Sequence, residues 1–171
     1  MQINVSINDK KVLDLLSRIR SRMSDARPAF HTIGEIVCAS IVRNFKAGGR
    51  PDKWEKSRRV KEHGGVTLSD TARLRRSFNV KAGRAHVVVG TSDKRAGTHH
   101  YGAEKGSFGA VIAQVKKHLR ISASGKTMTV RAHSRTQKLP WGKIPARPFM
   151  MVQDEDWIEI RHALTDYLIK P

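Results

Sequence analysis

The residues best suited to hold a metal are His63, His86, His99, His100, His118 and His133. Only His99 and His100 are adjacent, and neighbours on a strand point to opposite faces. The chain has no cysteine pair and no His-Glu-x-x-His helix signature. The histidines therefore read as solvent-facing groups of a basic protein, and no metal is expected. A nuclease would need at least two acidic metal ligands and a base. Between positions 70 and 150 the acids are Asp70, Asp93 and Glu104, and their spacing does not group them. Glu35 stands beside an apolar helical stripe and reads as part of its solvated flank. There is no phosphate-cradling Gly-Lys-Ser/Thr loop and no Gly-x-Ser-x-Gly elbow. With no catalytic set, neither an enzymatic activity nor a cofactor is expected.

Binding chemistry is better represented. The chain has 171 residues and a formal charge of +18, from 33 Lys/Arg against 15 Asp/Glu. Such an excess calls for a negative partner: nucleic acid, an acidic protein or an anionic surface. Arg73, Arg75, Arg76, Lys116, Lys117 and Arg120 could meet phosphates. Aromatic residues are only 6% of the chain, however, and Trp141 is the only one between 116 and 143. No zinc finger, RNA-recognition signature or clear helix-turn-helix is visible. Non-specific contact with the DNA backbone remains as an alternative function. The charge is also uneven: residues 70–150 hold 17 Lys/Arg against 3 acids, and residues 151–171 hold 2 against 5. A basic middle and an acidic end suit head-to-tail contact between copies. The plain alternative is that Asp154, Glu155 and Asp156 cap a terminal helix.

These groups need elements to hold them. Residues 3–7 alternate as a short strand, and Val12, Leu15, Leu16, Ile19 and Met23 form the stripe of a first helix, with Asn8 or Asp9 as its cap. Pro28 opens a second helix, which runs from about Ala29 to Phe45 and stops at Gly48-Gly49. Residues 46–69 read as loop, with Trp54 plugging a core edge. Ser69 or Asp70 could cap a short helical turn through Leu74. Phe78–Val80 and His86–Thr91 form a hairpin around Gly83. Residues 92–109 and 131–143 read as loop, and 111–115 is undecided between strand and helix. Leu119 with Ile121, and Met128 with Val130, flank a hairpin tip at Ser124–Lys126. Trp157, Ile160, Leu164, Tyr167 and Leu168 form the stripe of a last helix. Segregated helices and strands predict an α+β fold: a small antiparallel sheet against two N-terminal helices and one C-terminal helix. One domain over 1–171 is expected, with extended basic arms at 92–109 and 120–143. The lone Cys38 reads as a small buried hydrophobe, and a reducing cytoplasm is expected until assembly. No segment reaches the roughly 18 apolar residues of a membrane span, so no membrane partner is expected.

Several phrases in order resemble a known family. They are Ala29-Phe30-His31-Thr32-Ile33-Gly34-Glu35; Asn44-Phe45 followed by Gly48, Pro51 and Trp54; Leu68 through Phe78; Val87-Val88-Val89-Gly90-Thr91; and Ile144-Pro145-Ala146-Arg147-Pro148-Phe149. Together they are similar to the phage virion morphogenesis family, the tail-completion proteins of Mu-like and related tailed phages. The chain departs from the family where Ala72 replaces the usual Gly, so a positive φ cannot be assumed there. It departs again at Gly97-Thr98-His99-His100-Tyr101-Gly102, with His100 where glutamine is usual. The resemblance implies a structural role in tail completion or head–tail joining, at the neck or the tail terminus. It implies a homo-oligomeric ring, expected to be sixfold, and contact with other phage neck or tail proteins. It implies a place in the virion, after assembly in the host cytoplasm.

The interface candidates are Arg147, Asp154, Glu155, Asp156, His99, His100, Tyr101, Lys116, Lys117 and Arg120. The structural candidates are Trp54, Pro145, Pro148, Phe149 and Trp157. Pro145 and Pro148 fix φ and push Ile144 and Arg147 toward extended backbone. The segment is then a rigid strap that delivers Phe149 and Met150 to the core. Arg147, held between two stiff points, either caps carbonyls within the subunit or binds a neighbour's carboxylate.

Overall fold

The computed structural model describes residues 9–170. The strand expected over 3–7 lies outside the described residues. The architecture is α+β. The described chain divides into two compact units, one holding residues up to Ala96 together with Pro148 onward, the other holding Gly97–Arg147.

The first unit is built around α2 (Arg27–Ala47). Pro28 lies in its first turn, and Gly48 ends it in a left-handed conformation at φ 70°, its amide returning to the Asn44 and Phe45 carbonyls. Its inner face packs against the antiparallel hairpin of β1 (Phe78–Ala82) and β2 (Val87–Thr91), and against α5 (Asp154–Ile169). Gly34 sets the close approach to the hairpin: a Cβ there would lie 2.2 Å from a methyl of Val80 and 2.9 Å from one of Val87. The core holds Ile41, Phe45, Trp54, Leu74, Ala96 and Phe149. Phe45 stacks on Phe149 at 5.1 Å between ring centroids and meets Trp54 edge-on at 5.6 Å. Gly49 admits Trp54, whose backbone nitrogen would lie 2.7 Å from a Cβ at that position. Ala72 does adopt the left-handed region, at φ 56°, in the turn leading to the single 3-10 turn Leu74–Arg76.

Several elements differ from expectation. Helix α1 (Lys10–Ser24) buries no residue among those described, and Val12, Leu13, Leu16 and Met23 are each more than half exposed. It lies against α5, where Arg22 donates to the carbonyls of Tyr167 at 2.6 Å and Lys170 at 2.5 Å. The stretch expected as loop over 46–69 contains α3 (Arg58–His63), capped by Ser57 and anchored by buried Val60. One and a half turns are too short to print a helical period. Helix α5 is rotated by about one position from the expected stripe. Asp156 and Ile160 are buried, while Trp157 is 51% exposed and Leu164 is also exposed. Asp156 is held inward by Ser40 and Arg43 of α2, and it also closes a capping box with Gln153.

Helix α4 (Ala96–Tyr101) forms in the segment expected to be structureless, and from Gly97 on it belongs to the second unit. Two antiparallel ladders follow: β3 (Ala110–Val115) with β6 (His133–Lys138), and β4 (His118–Ile121) with β5 (Thr127–Val130). Strand β6 lies in expected loop, because HSRTQK has no apolar alternation to mark it. The sheet expected from sequence is thus three separate two-stranded ladders.

Candidate assembly interface

The two ladders of the second unit share one register. Counting on from Val115↔His133 leads without slippage to His118↔Val130. They are two segments of one long hairpin, interrupted at Lys116-Lys117 and turning at Gly125, which has φ 78°. At about 3.4 Å per residue, each leg has a contour length of roughly 40 Å. The separate arm expected over 120–143 is thereby replaced by this single arm, Ala110–Lys138. It carries seven Lys/Arg and no acid, and no acid stands anywhere between Glu104 and Asp154.

The arm has no dry side. Leu119 and Ile121 share a face with Thr127 and Thr129, while Met128 and Val130 share the other with His118 and Arg120. Leu119 and Ile121 are each 70% exposed, and Met128 is 54% exposed. No apolar side chain in the second unit is buried; Arg147 is its one buried residue. A two-stranded ribbon in water is marginal without a third strand or a packing surface. Apolar groups on both faces require cover on both. Lys116, Lys117 and Arg120 are exposed on this arm, and Tyr101 is 80% exposed at the end of α4.

The proline strap is held inside the second unit up to Arg147. Ala103 and Ile144 exchange backbone hydrogen bonds of 2.9 and 2.8 Å, and the Arg147 amide donates to His99 at 2.9 Å. Gly102, at φ 77°, allows this approach: a Cβ would meet the Ile144 oxygen at 2.7 Å. The residues from His99 to Ala103 and from Ile144 to Arg147, far apart in sequence, thus form one joint. Arg147 is buried, and its guanidinium lies 3.5 Å from the Pro145 carbonyl. His100 packs edge-on to Tyr101 at 4.6 Å, and burial lowers its basicity. Beyond the strap, the Pro148 carbonyl accepts from the Trp54 indole at 3.2 Å, and Phe149 is fully buried.

The acidic cluster at the start of α5 is largely committed within its own unit. Asp156 is fully buried. Its carboxylate accepts from the Ser40 hydroxyl, from Arg43 at 2.5 Å and from the Gln153 amide at 2.7 Å. Burial alone would raise its pKa; the bonds from Ser40, Gln153 and Arg43 outweigh burial and hold the carboxyl below its ordinary value. Glu155 pairs with Arg50 at 2.7 Å, and Glu159 meets Arg43 at 3.4 Å. Arg50 also bonds Asn44 at 2.8 Å and Ser40 at 2.9 Å, and Asn44 reaches the Phe149 carbonyl at 2.9 Å. Asp154 is exposed. The cluster therefore anchors α5 to α2, and only part of it faces outward.

Sequence reasoning missed Ser40, Arg43, Asn44 and Arg50. The available signal was a pair of polar residues, Ser40 and Asn44, one helical turn apart beside the apolar Ile41 and Phe45. Among the described residues, no group of three or more His, Cys, Asp or Glu could hold a metal ion. Nor is any described helix long and apolar enough to cross a membrane.

The chain is 25% identical over 166 residues to the Mu-like prophage FluMu G protein 2 of Haemophilus influenzae, covering 96% of this chain and 95% of that protein. No solved structure matches the chain. The model of the phage virion morphogenesis family matches residues 7–169, and the chain belongs to that family.

Proposed function

We propose that the protein is a structural component of tailed-phage assembly that completes the tail or joins it to the head, acting as a homo-oligomeric ring. Family membership supports the assembly role. The observation that carries the reading is the Ala110–Lys138 hairpin: a basic arm with apolar groups on both faces and no buried apolar side chain. Such an arm is completed by the surfaces it meets, and successive copies or adjoining tail proteins would supply them. The reading needs no catalysis and no cofactor.

The test is a phage stock lacking the gene. Heads and tails should accumulate unjoined, or tails should end abnormally, and purified protein added to the lysate should restore joined particles. Normal particles without the protein would refute the proposal. Averaged electron micrographs of the joined particles would then give the ring number and its position.

A further inference from the structure

The root of the hairpin carries a feature that the assembly role does not use. Trp141 is 71% exposed, an unusual state for the largest apolar side chain. On one side it borders a shallow open groove lined by Lys105, Arg135, Thr136, Gln137 and Lys138. On the other it borders an apolar one formed by the chain from Leu139 to Ile144. Lys143 adds a further cation, beside Glu104 at 2.9 Å. The groove is thus a flat π-surface with several cations at its rim, set in a stretch that contains no other acid up to Asp154.

We propose that this groove binds a nucleic-acid strand, with a base stacked on Trp141 and phosphates against Lys105, Arg135 and Lys138. An exposed indole gives a stacking platform that accepts any base, and adjacent cations track the backbone. The charge argues against a second copy as the occupant, because most acids of α5 are already held by Arg43, Arg50 and Lys170. An acidic peptide would satisfy the cations but offers the indole a stacking partner only where it happens to place an aromatic side chain, whereas every nucleotide brings one. Arg135 and Lys138 stand at the root of the same arm, but Leu119, Ile121 and Met128 lie at its far end, so variants at the two places separate this contact from the assembly role proposed above.

The experiment titrates the full-length protein with a dye-labelled oligothymidylate and follows both anisotropy and tryptophan fluorescence. Binding should quench the tryptophan signal, and Trp141→Phe should remove most of the quenching while retaining binding. Trp141→Ala should weaken binding about tenfold, as loss of one stacked base predicts. With three phosphates neutralised, affinity should fall roughly twentyfold between 50 and 200 mM salt, and Arg135→Gln with Lys138→Gln should flatten that dependence. Three results would overturn the proposal: no binding near physiological salt, binding unaffected by Trp141→Ala, or a polyglutamate of equal charge binding as tightly and with the same sensitivity to Trp141. Circular dichroism and sedimentation of each variant keep a folding defect apart from a binding defect. A protein that oligomerises normally but ignores the oligonucleotide would sink this inference and leave the assembly role standing.

Discussion

Asp156 shows how a residue chosen for one role is fixed by its surroundings in another. Its position in an acidic run offered two readings, an outward contact or a cap for the terminal helix; it is buried against Ser40 and Arg43 and caps its own helix. Asp156→Asn should cost about 2–3 kcal/mol, below the range for a wholly buried pair because Arg43 is partly exposed. Urea unfolding would measure it. The carboxyl is depressed in the folded state, so its contribution is present above the unfolded value near 4 and fades as pH falls through the folded one. Asp25 and Asp93, each lowered to about 2 by hydrogen bonds from the arginine two residues on, act in the same direction. Thermal melts should therefore lose stability from about pH 4 downward, and Asp156→Asn should lose less. Ala72 gives a prediction of opposite sign. It sits at φ 56°, where a side chain costs about 1 kcal/mol relative to Gly. Ala72→Gly should raise the melting temperature by about 2–4 °C. The departure from the family pattern was legible in the sequence; the backbone conformation was not, because alanine gives no sign of a left-handed turn.

At the level of elements, what could be read followed the strength of the periodic signal. Helix α2 announced itself through its stripe, its opening proline and its closing glycines. The β1–β2 hairpin did so through consecutive valines, and the β4–β5 tip through paired apolar residues around Gly125. Helix α3 and strand β6 left no such mark, one being too short and the other polar throughout. The rotation of α5 was hidden because its inward face carries a charged residue, Asp156, whose partners Ser40 and Arg43 lie more than a hundred positions away in sequence. Gly34, noticed only as part of a family phrase, has a clear physical task where α2 meets β1 and β2. Gly34→Ala should destabilise the protein by about 1–3 kcal/mol, since the stiff valines opposite cannot yield by rotation. Pairing it with Val80→Ala should recover part of the loss in the same denaturation assay, as expected for groups in direct contact.

Across the whole molecule, the charge asymmetry seen in sequence takes on a different meaning. A basic middle facing an acidic end suggested copies joined by attraction between opposite charges. Within the subunit, Asp156, Glu159 and Glu155 pair with Arg43 and Arg50, while the basic excess of the second unit lies on an arm without a core. The arm's chemistry, long and basic with apolar groups on both faces, suits insertion between partners better than a simple charged patch does. The most direct test is the double variant Leu119→Lys with Ile121→Lys, introduced into the phage and scored by electron microscopy. Both side chains are 70% exposed, so the purified variant should melt within about 2 °C of the parent. The account predicts that joined, infectious particles fall at least tenfold while unjoined heads and tails accumulate. Joined particles at the parental yield, from a variant incorporated at the parental level, would contradict it.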